Sequence, residues 1–257
     1  RKLSEKFSMG VVFRYIYSDL GFSTYDAGDQ TSGASAFSAD IAGYYTTYPI
    51  IGRNECQWSW GWNISNIGSK VSYNNGNDPA FLPTNLRLGT AFTFPLADYN
   101  NLTLSLDLNK LLVPARPRES DYVDYSETDN SIRIEQEREY LDAVENWENM
   151  SSITGIFKSF SDAPGGFKEE LQEITWSLGA EYSYNQQFFV RAGYYYENAN
   201  KGNRQYFGFG AGFSLNVLRL DASYMLATAQ TSPLDQTLRF TLSFDMDGLR
   251  DLLGKRR

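Results

Sequence analysis

The chain of 257 residues contains no histidine and a single cysteine, Cys56. Without histidine, neither a Ser-His-Asp nor a Cys-His arrangement can be assembled from this sequence, and histidine-based zinc sites are excluded with them. One cysteine allows no intrachain disulfide, and beside a turn it reads as an inert, half-buried residue. No apolar run approaches the ~18 to 20 residues that carry a helix across a bilayer, so a helical membrane protein is excluded. The net charge of -8 argues against nucleic acid as a partner. The acid is also local, because residues 119–148 carry most of the surplus. No export signal precedes Arg1-Lys2-Leu3, which we read as a processed or truncated chain.

What the sequence does contain is alternation. Leu102, Leu104, Leu106 and Leu108 oppose Thr103, Ser105, Asp107 and Asn109; Trp58, Trp60, Trp62 and Ile64 oppose Gln57, Ser59, Gly61 and Asn63. The segment Thr237-Leu238-Arg239-Phe240-Thr241-Leu242-Ser243-Phe244 alternates strictly and ends on an aromatic. A period of two places one face in an apolar medium and the other against water or polar groups. Ten such segments are expected, at 7–17, 35–47, 57–66, 85–95, 101–111, 172–184, 187–198, 204–215, 218–228 and 236–244. Each is near the ~9 to 11 residues that cross a bilayer at a tilt. Only a closed barrel satisfies the backbone of so many strands in lipid. The fold class expected is therefore all-β, a transmembrane antiparallel β-barrel over 1–244, with 245–257 as a periplasmic tail. Its place is the outer membrane of a Gram-negative cell.

The connections alternate between short turns (Pro49–Gly52, Ala97–Asn100, Asn185-Gln186, Asn216-Val217) and long loops. Short turns belong on the periplasmic side and long loops outside. The longest loop, 112–171, needs structure or function of its own. Ser131 to Trp147 is expected to be helical there, with Ile134, Leu141, Val144 and Trp147 as a partial apolar side. Ile156, Phe157, Phe160 and Phe167 would be costly in water. They pack into the barrel mouth as a lid or receive another protein, and the sequence leaves both open.

The polar faces carry Arg14, Asp40, Arg87, Asp107, Glu181, Arg191, Arg219, Asp221 and Arg239. Facing a lumen, they would compensate one another's desolvation across it, either as a plug or along a polar path for a solute. The charged run around Glu135, Glu137 and Glu139 reads as a solvated face. Asn74-Asn75-Gly76-Asn77-Asp78 reads as a turn, since it lacks the spacing and closing Glu of a calcium loop. No cofactor and no metal are expected.

Gly155-Ile156-Phe157-Lys158-Ser159-Phe160-Ser161-Asp162-Ala163-Pro164-Gly165-Gly166-Phe167, running into Trp176–Tyr182, resembles the PorV (LptO) family. So do Phe188–Glu197 and Thr231–Phe240. The resemblance is closer from 150 to 244 and looser from 1 to 112. It implies an outer-membrane component of the type IX secretion system with a FadL-like barrel of about fourteen strands, so that strands and a signal peptide would precede Arg1. It implies a non-enzymatic carrier that binds the C-terminal signal domain of secreted cargo. The carrier collects cargo from a translocon channel subunit and delivers it to a surface attachment complex containing the sortase-like PorU. Outer-membrane lipid is the remaining expected partner. A barrel of that strand number is too narrow to pass a folded domain. The expected cargo contact is Phe157, Phe160, Asp162, Pro164, Gly165, Gly166 and Phe167, where aromatics supply concentrated buried area and the glycines allow close backbone approach. Two other functions are weighed: a FadL-like transporter of small hydrophobic molecules, disfavoured by charged inner faces, and a lipopolysaccharide deacylase, disfavoured by the missing histidine.

Overall fold

In a computed structural model, residues 1–19, 33–73, 79–228 and 235–254 are described. The turn expected at Asn74–Asp78 and Thr231–Leu234 of the last resemblance stretch lie outside them.

The strands among the described residues are β1 (Phe7–Ser18), β2 (Ala34–Thr47), the short β3 (Ile50–Ile51) and β4 (Asn54–Glu55), β5 (Gln57–Gly68), β6 (Asn85–Ala97), β7 (Asn100–Leu111), β8 (Thr175–Tyr184), β9 (Phe188–Tyr196), β10 (Gln205–Leu215), β11 (Leu218–Ala227) and β12 (Leu238–Phe244). The ten long ones form one antiparallel sheet in the order β1-β2-β5-β6-β7-β8-β9-β10-β11-β12. All ten alternating segments are strands, and each pairs with the next long strand in sequence. The sheet is not closed on itself, since β1 and β12 do not pair. Two corrections to the boundaries follow from local geometry. The connection at Pro49–Gly52 is a miniature hairpin of β3 with β4, and its return buries Cys56. The start of the sixth expected segment also moves: β8 begins at Thr175 instead of residue 172, because a helix runs through Gln172 first.

Alternation sets the two faces. One carries the leucines of β7 beside Leu88 of β6 and Leu178 of β8, all in register. Leu88, Leu104, Leu108 and Leu178 are exposed together, an apolar row of the kind that the outer wall of a transmembrane barrel carries. Aromatic pairs on this face gather toward the two strand ends. Trp176–Tyr196 and Tyr194–Phe207 lie at one end, with ring centroids 5.1 and 4.7 Å apart. Phe188–Phe213 and Tyr45–Trp60 lie at the other, at 4.7 and 5.7 Å. Such belts mark membrane–water interfaces. The opposite face is hydroxylic, glycine-rich and charged. In the tight turns the chain is left-handed: Asn185 and Gln186 have φ of 52° and 54°, as the strand-matched two-residue hairpin requires.

The long connection folds into α1 (Asn130–Asn149), α2 (Ser152–Lys158) and α3 (Phe167–Gln172). Beyond β12 the chain continues as α4 (Met246–Gly254).

Candidate functional site

Helices in the long loop start where caps dictate. Asp129 accepts from Ser131 N–H at 2.8 Å to open α1, and Ser151 accepts from Thr154 N–H at 3.1 Å to open α2. The apolar side expected on α1 packs only at its last turn. Ile134 and Leu141 point outward, while Trp147 is buried and its indole donates to the Pro114 carbonyl at 3.1 Å. Phe81 meets Trp147 edge-on at 5.1 Å, and Lys70 sits 4.1 Å above the Phe81 ring. The Lys70 ammonium donates to the carbonyls of Trp147 and Glu148 at 3.2 and 2.7 Å, satisfying groups that the end of α1 leaves unpaired. Burial lowers the Lys70 pKa against the opposing pull of Glu148. Gly155 is buried under this hub, where a Cβ would stand 2.8 Å from the Phe81 ring and 3.1 Å from Pro114.

A second set of contacts ties down residues 159–173. Ser159 is fully buried and donates to the Ile156 carbonyl at 2.8 Å. Asp162 accepts from Ala115 N–H at 2.6 Å, and burial raises its pKa despite that bond. Lys110 donates to Glu170 at 2.8 Å and to Glu173 at 2.7 Å; Lys201 donates to Glu169 at 2.6 Å and to Glu173 at 3.0 Å. Glu170 also accepts from Ala163 N–H at 2.9 Å. Burial pushes the Glu170 carboxyl up, but these bonds outweigh it and hold the pKa below the usual value. α3 is thus clamped by its two glutamates and by Glu173 just beyond its end.

What the clamp leaves outside is apolar. Phe157 is 72% exposed and Phe167 78%, with Phe160, Ile153 and Leu171 exposed near them in sequence. Pro164, Gly165 and Gly166 are also exposed, and Gly166 takes a φ of +66° that favours glycine. Asp162 differs from its expected companions, because its carboxylate is occupied holding Ala115 and serves as an anchor for the loop. The alternation pattern carried no weight for Lys70, Phe81, Lys110, Glu170, Glu173 or Lys201. One of them had a signal: Lys110 ends the row Leu102, Leu104, Leu106, Leu108 on the same side of β7.

The inner-face charges pair along the wall between nearby strands. Arg14 bonds Asp40 and reaches Asn66 at 2.9 Å. Asn66 N–H donates to Asp40 at 2.9 Å from a bulge where β5 slips against β2. Arg191 bonds both Glu181 and, at 2.7 Å, Asp221, which also accepts from Arg219 at 2.8 Å. Arg87 donates to Asn109 at 2.7 Å, and Asp107 lies over Gly89. Arg87, Asp107 and Arg239 form no ion pair among the described residues.

In comparison with known proteins, the model of the family described as "Type IX secretion system protein PorV" matches residues 1–118. That is the part of the chain, less than half of it, in which the sequence resemblance is looser, so the two indications of the same family rest on different segments. No curated protein matches the chain significantly.

Proposed function

We propose, from the match to the PorV family of type IX secretion system proteins over residues 1–118, that this chain binds the C-terminal signal domain of secreted cargo on its long extracellular loop. In this reading it passes cargo from the translocon channel subunit to the surface attachment complex. The observation that carries the reading is the combination of Phe157 and Phe160, exposed on α2 and just after it, with a scaffold that fixes the backbone beneath them. Rigid, outward-facing aromatics lose little side-chain freedom on binding and supply large contact areas. Exposed Pro164-Gly165-Gly166 provides a flat stretch of backbone next to them in sequence.

The test is a pull-down from solubilised outer membrane, with mass spectrometry of what is retained. Proteins sharing a C-terminal β-domain, or a very large translocon subunit, should be recovered with the parent chain. The former should disappear with Phe157→Ala/Phe160→Ala while the barrel stays folded. Retention of cargo by the double variant would move the contact elsewhere, and recovery of bound lipid or fatty acid alone would favour transport of small hydrophobic molecules.

A further inference from the structure

The residues that lead into β6 turn inward, onto the charged face of the sheet. Asn66, at the bulge, accepts from the inner-face residue Arg14 at 2.9 Å, and its amide donates to the Pro83 carbonyl at 3.0 Å. Leu82 stands over Gly68, where a Cβ would lie 2.8 Å from Leu82 Cδ1. Gly68 pairs with Ser38, on the same face of β2 as Asp40. Residues 82 and 83 therefore lie over the polar side of β2 and β5, where Ala36 and Ser38 are only 2% and 5% exposed. Phe81, next in the chain, brings Trp147 and Gly155 to the same place. The hub that joins the end of α1 to α2 thus sits inside the rim.

The first residues of the long loop run the same way. Ala115 lines a cavity of about 520 Å³ together with Arg87 and Asn109 of the charged face. Tyr195 forms another part of its wall, and Glu173 and Lys201 complete it. The loop is also hooked on both sides of its own strands. On the β6 side, Lys70 donates to the carbonyls of Trp147 and Glu148 at the end of α1. On the β9 side, Lys201 donates to Glu169 and Glu173, and the Asn200 amide donates to Gln172 Oε1 at 3.1 Å.

We propose that the long loop is a hooked lid: its hub roofs the outward mouth of the barrel, and the Lys70 and Lys201 hooks hold it shut. Contacts of this kind open at far lower cost than a strand ladder, so the lid can lift while the barrel stays folded. The two sides of α2 have different tasks. Gly155 is buried inward against Phe81 and Pro114, and Phe157, about 200° further round the helix, faces out. The proposal needs the barrel and an outward loop end, but not the cargo contact.

The full chain is expressed in the outer membrane of a host without type IX secretion, with single cysteines in a Cys56→Ser background. Intact cells are treated with a bulky, membrane-impermeant maleimide. Phe157→Cys, on the outer side of α2, should react quickly. Asn109→Cys, on the cavity wall under the roof, should react many-fold more slowly until the protein is denatured. Adding Lys70→Ala and Lys201→Ala should raise the Asn109→Cys rate several-fold while the barrel keeps its heat-induced mobility shift. Rapid labelling of Asn109→Cys with both lysines in place would show an open mouth and overturn the proposal. A rate that both lysine replacements leave unchanged would overturn the hooks as what holds the lid shut. No reaction at Phe157→Cys would overturn the outward orientation, and the lid with it. No cargo is present in these cells, so the Phe157/Phe160 pull-down stands or falls separately.

Discussion

Arg191 of β9 reaches Asp221 of β11 across the whole width of β10, its Nη1 2.7 Å from Oδ1, while its Nε holds Glu181 of β8. The guanidinium thus fastens four consecutive strands. It can do so because the residues under it are Gly210 and Gly212. At Gly212 a Cβ would come within 3.1 Å of Arg191 Nη1 and nearer still to the Asp221 carboxylate. Phe189 completes the cluster, with Arg191 and Arg219 centred 5.2 and 4.9 Å from its ring.

Gly212→Val should therefore disconnect Arg191 from Asp221 without changing the hydrogen-bonded ladder. The expected cost is about 1 to 3 kcal/mol, the range for charge-assisted hydrogen bonds left unmade. It should appear as a lower temperature for the heat-induced mobility shift of the barrel on gels. Ala211→Val, one residue earlier on the lipid-facing side, should have no comparable effect.

The contrast between β10 and the long loop shows what a sequence reveals of such a protein. Phe207, Phe209 and Phe213 alternate with Gly208, Gly210 and Gly212, so strand, faces and neighbours can be read directly, as they can for all ten long strands. The reach of Arg191 over those glycines cannot, because it depends on a side chain two strands away. In the loop there is no period to read. The helix around Ser131 to Trp147 was legible from its composition, but its packing through one tryptophan was not. Asp162 looked like part of an exposed surface because the sequence does not show the Ala115 N–H that turns it inward. The start of β8 is hidden for a related reason: Glu170 and Glu173 are drawn into α3 and its end by Lys110, a residue of another strand.

At the bulge near the C-terminal end of β5, Asp40 accepts from both Arg14 and the backbone of Asn66, whose φ is 60°. Asn tolerates that conformation and glycine tolerates it better, whereas a β-branched residue does not. Asn66→Gly should retain the bulge, although it loses the side-chain bonds to Arg14 and Pro83. Asn66→Val should cost about 1 to 3 kcal/mol in backbone strain, and Asp40→Ala a similar amount by leaving two donors without their acceptor. Thermal gel-shift curves of the three variants should place Asn66→Gly nearest the parent. If Asn66→Val proved as stable as Asn66→Gly, the strained backbone would not be what limits this site.

Gly155 lies where α2 crosses Phe81 and Pro114. Gly155→Val should push α2 off the Phe81–Trp147 hub and expose the 150–165 segment, making it several-fold more susceptible to added protease. The barrel transition should remain where it was, because the hub contributes nothing to the strand ladder. Cargo recovery should fall with it even though Phe157 and Phe160 are untouched, which separates loss of the scaffold from loss of the contact.

The clamp on α3 should depend on pH in a definite direction. Glu169 is held below the usual carboxylate range by its hydrogen bond from Lys201 and by Gly165 N–H, and Glu170 by bonds that outweigh its burial. A lowered folded pKa contributes stability above the unfolded value of about 4.3 and loses it as pH falls through the folded value. Lys201 runs the other way. Burial lowers its pKa, but hydrogen bonds to Glu169 and Glu173 outweigh that and leave it raised. Its contribution is complete below the unfolded value of about 10.4 and is lost as pH rises through the folded one. A nitroxide at Leu171→Cys should therefore be immobile from about pH 5 to 10 and gain mobility outside that window. Lys201→Ala should raise its mobility at pH 7, with Lys201→Arg restoring most of the constraint. Mobility at low pH that stays unchanged once Glu169 and Glu170 are protonated would mean that the carboxylates do not hold the helix, and that packing beneath α3 fixes it instead.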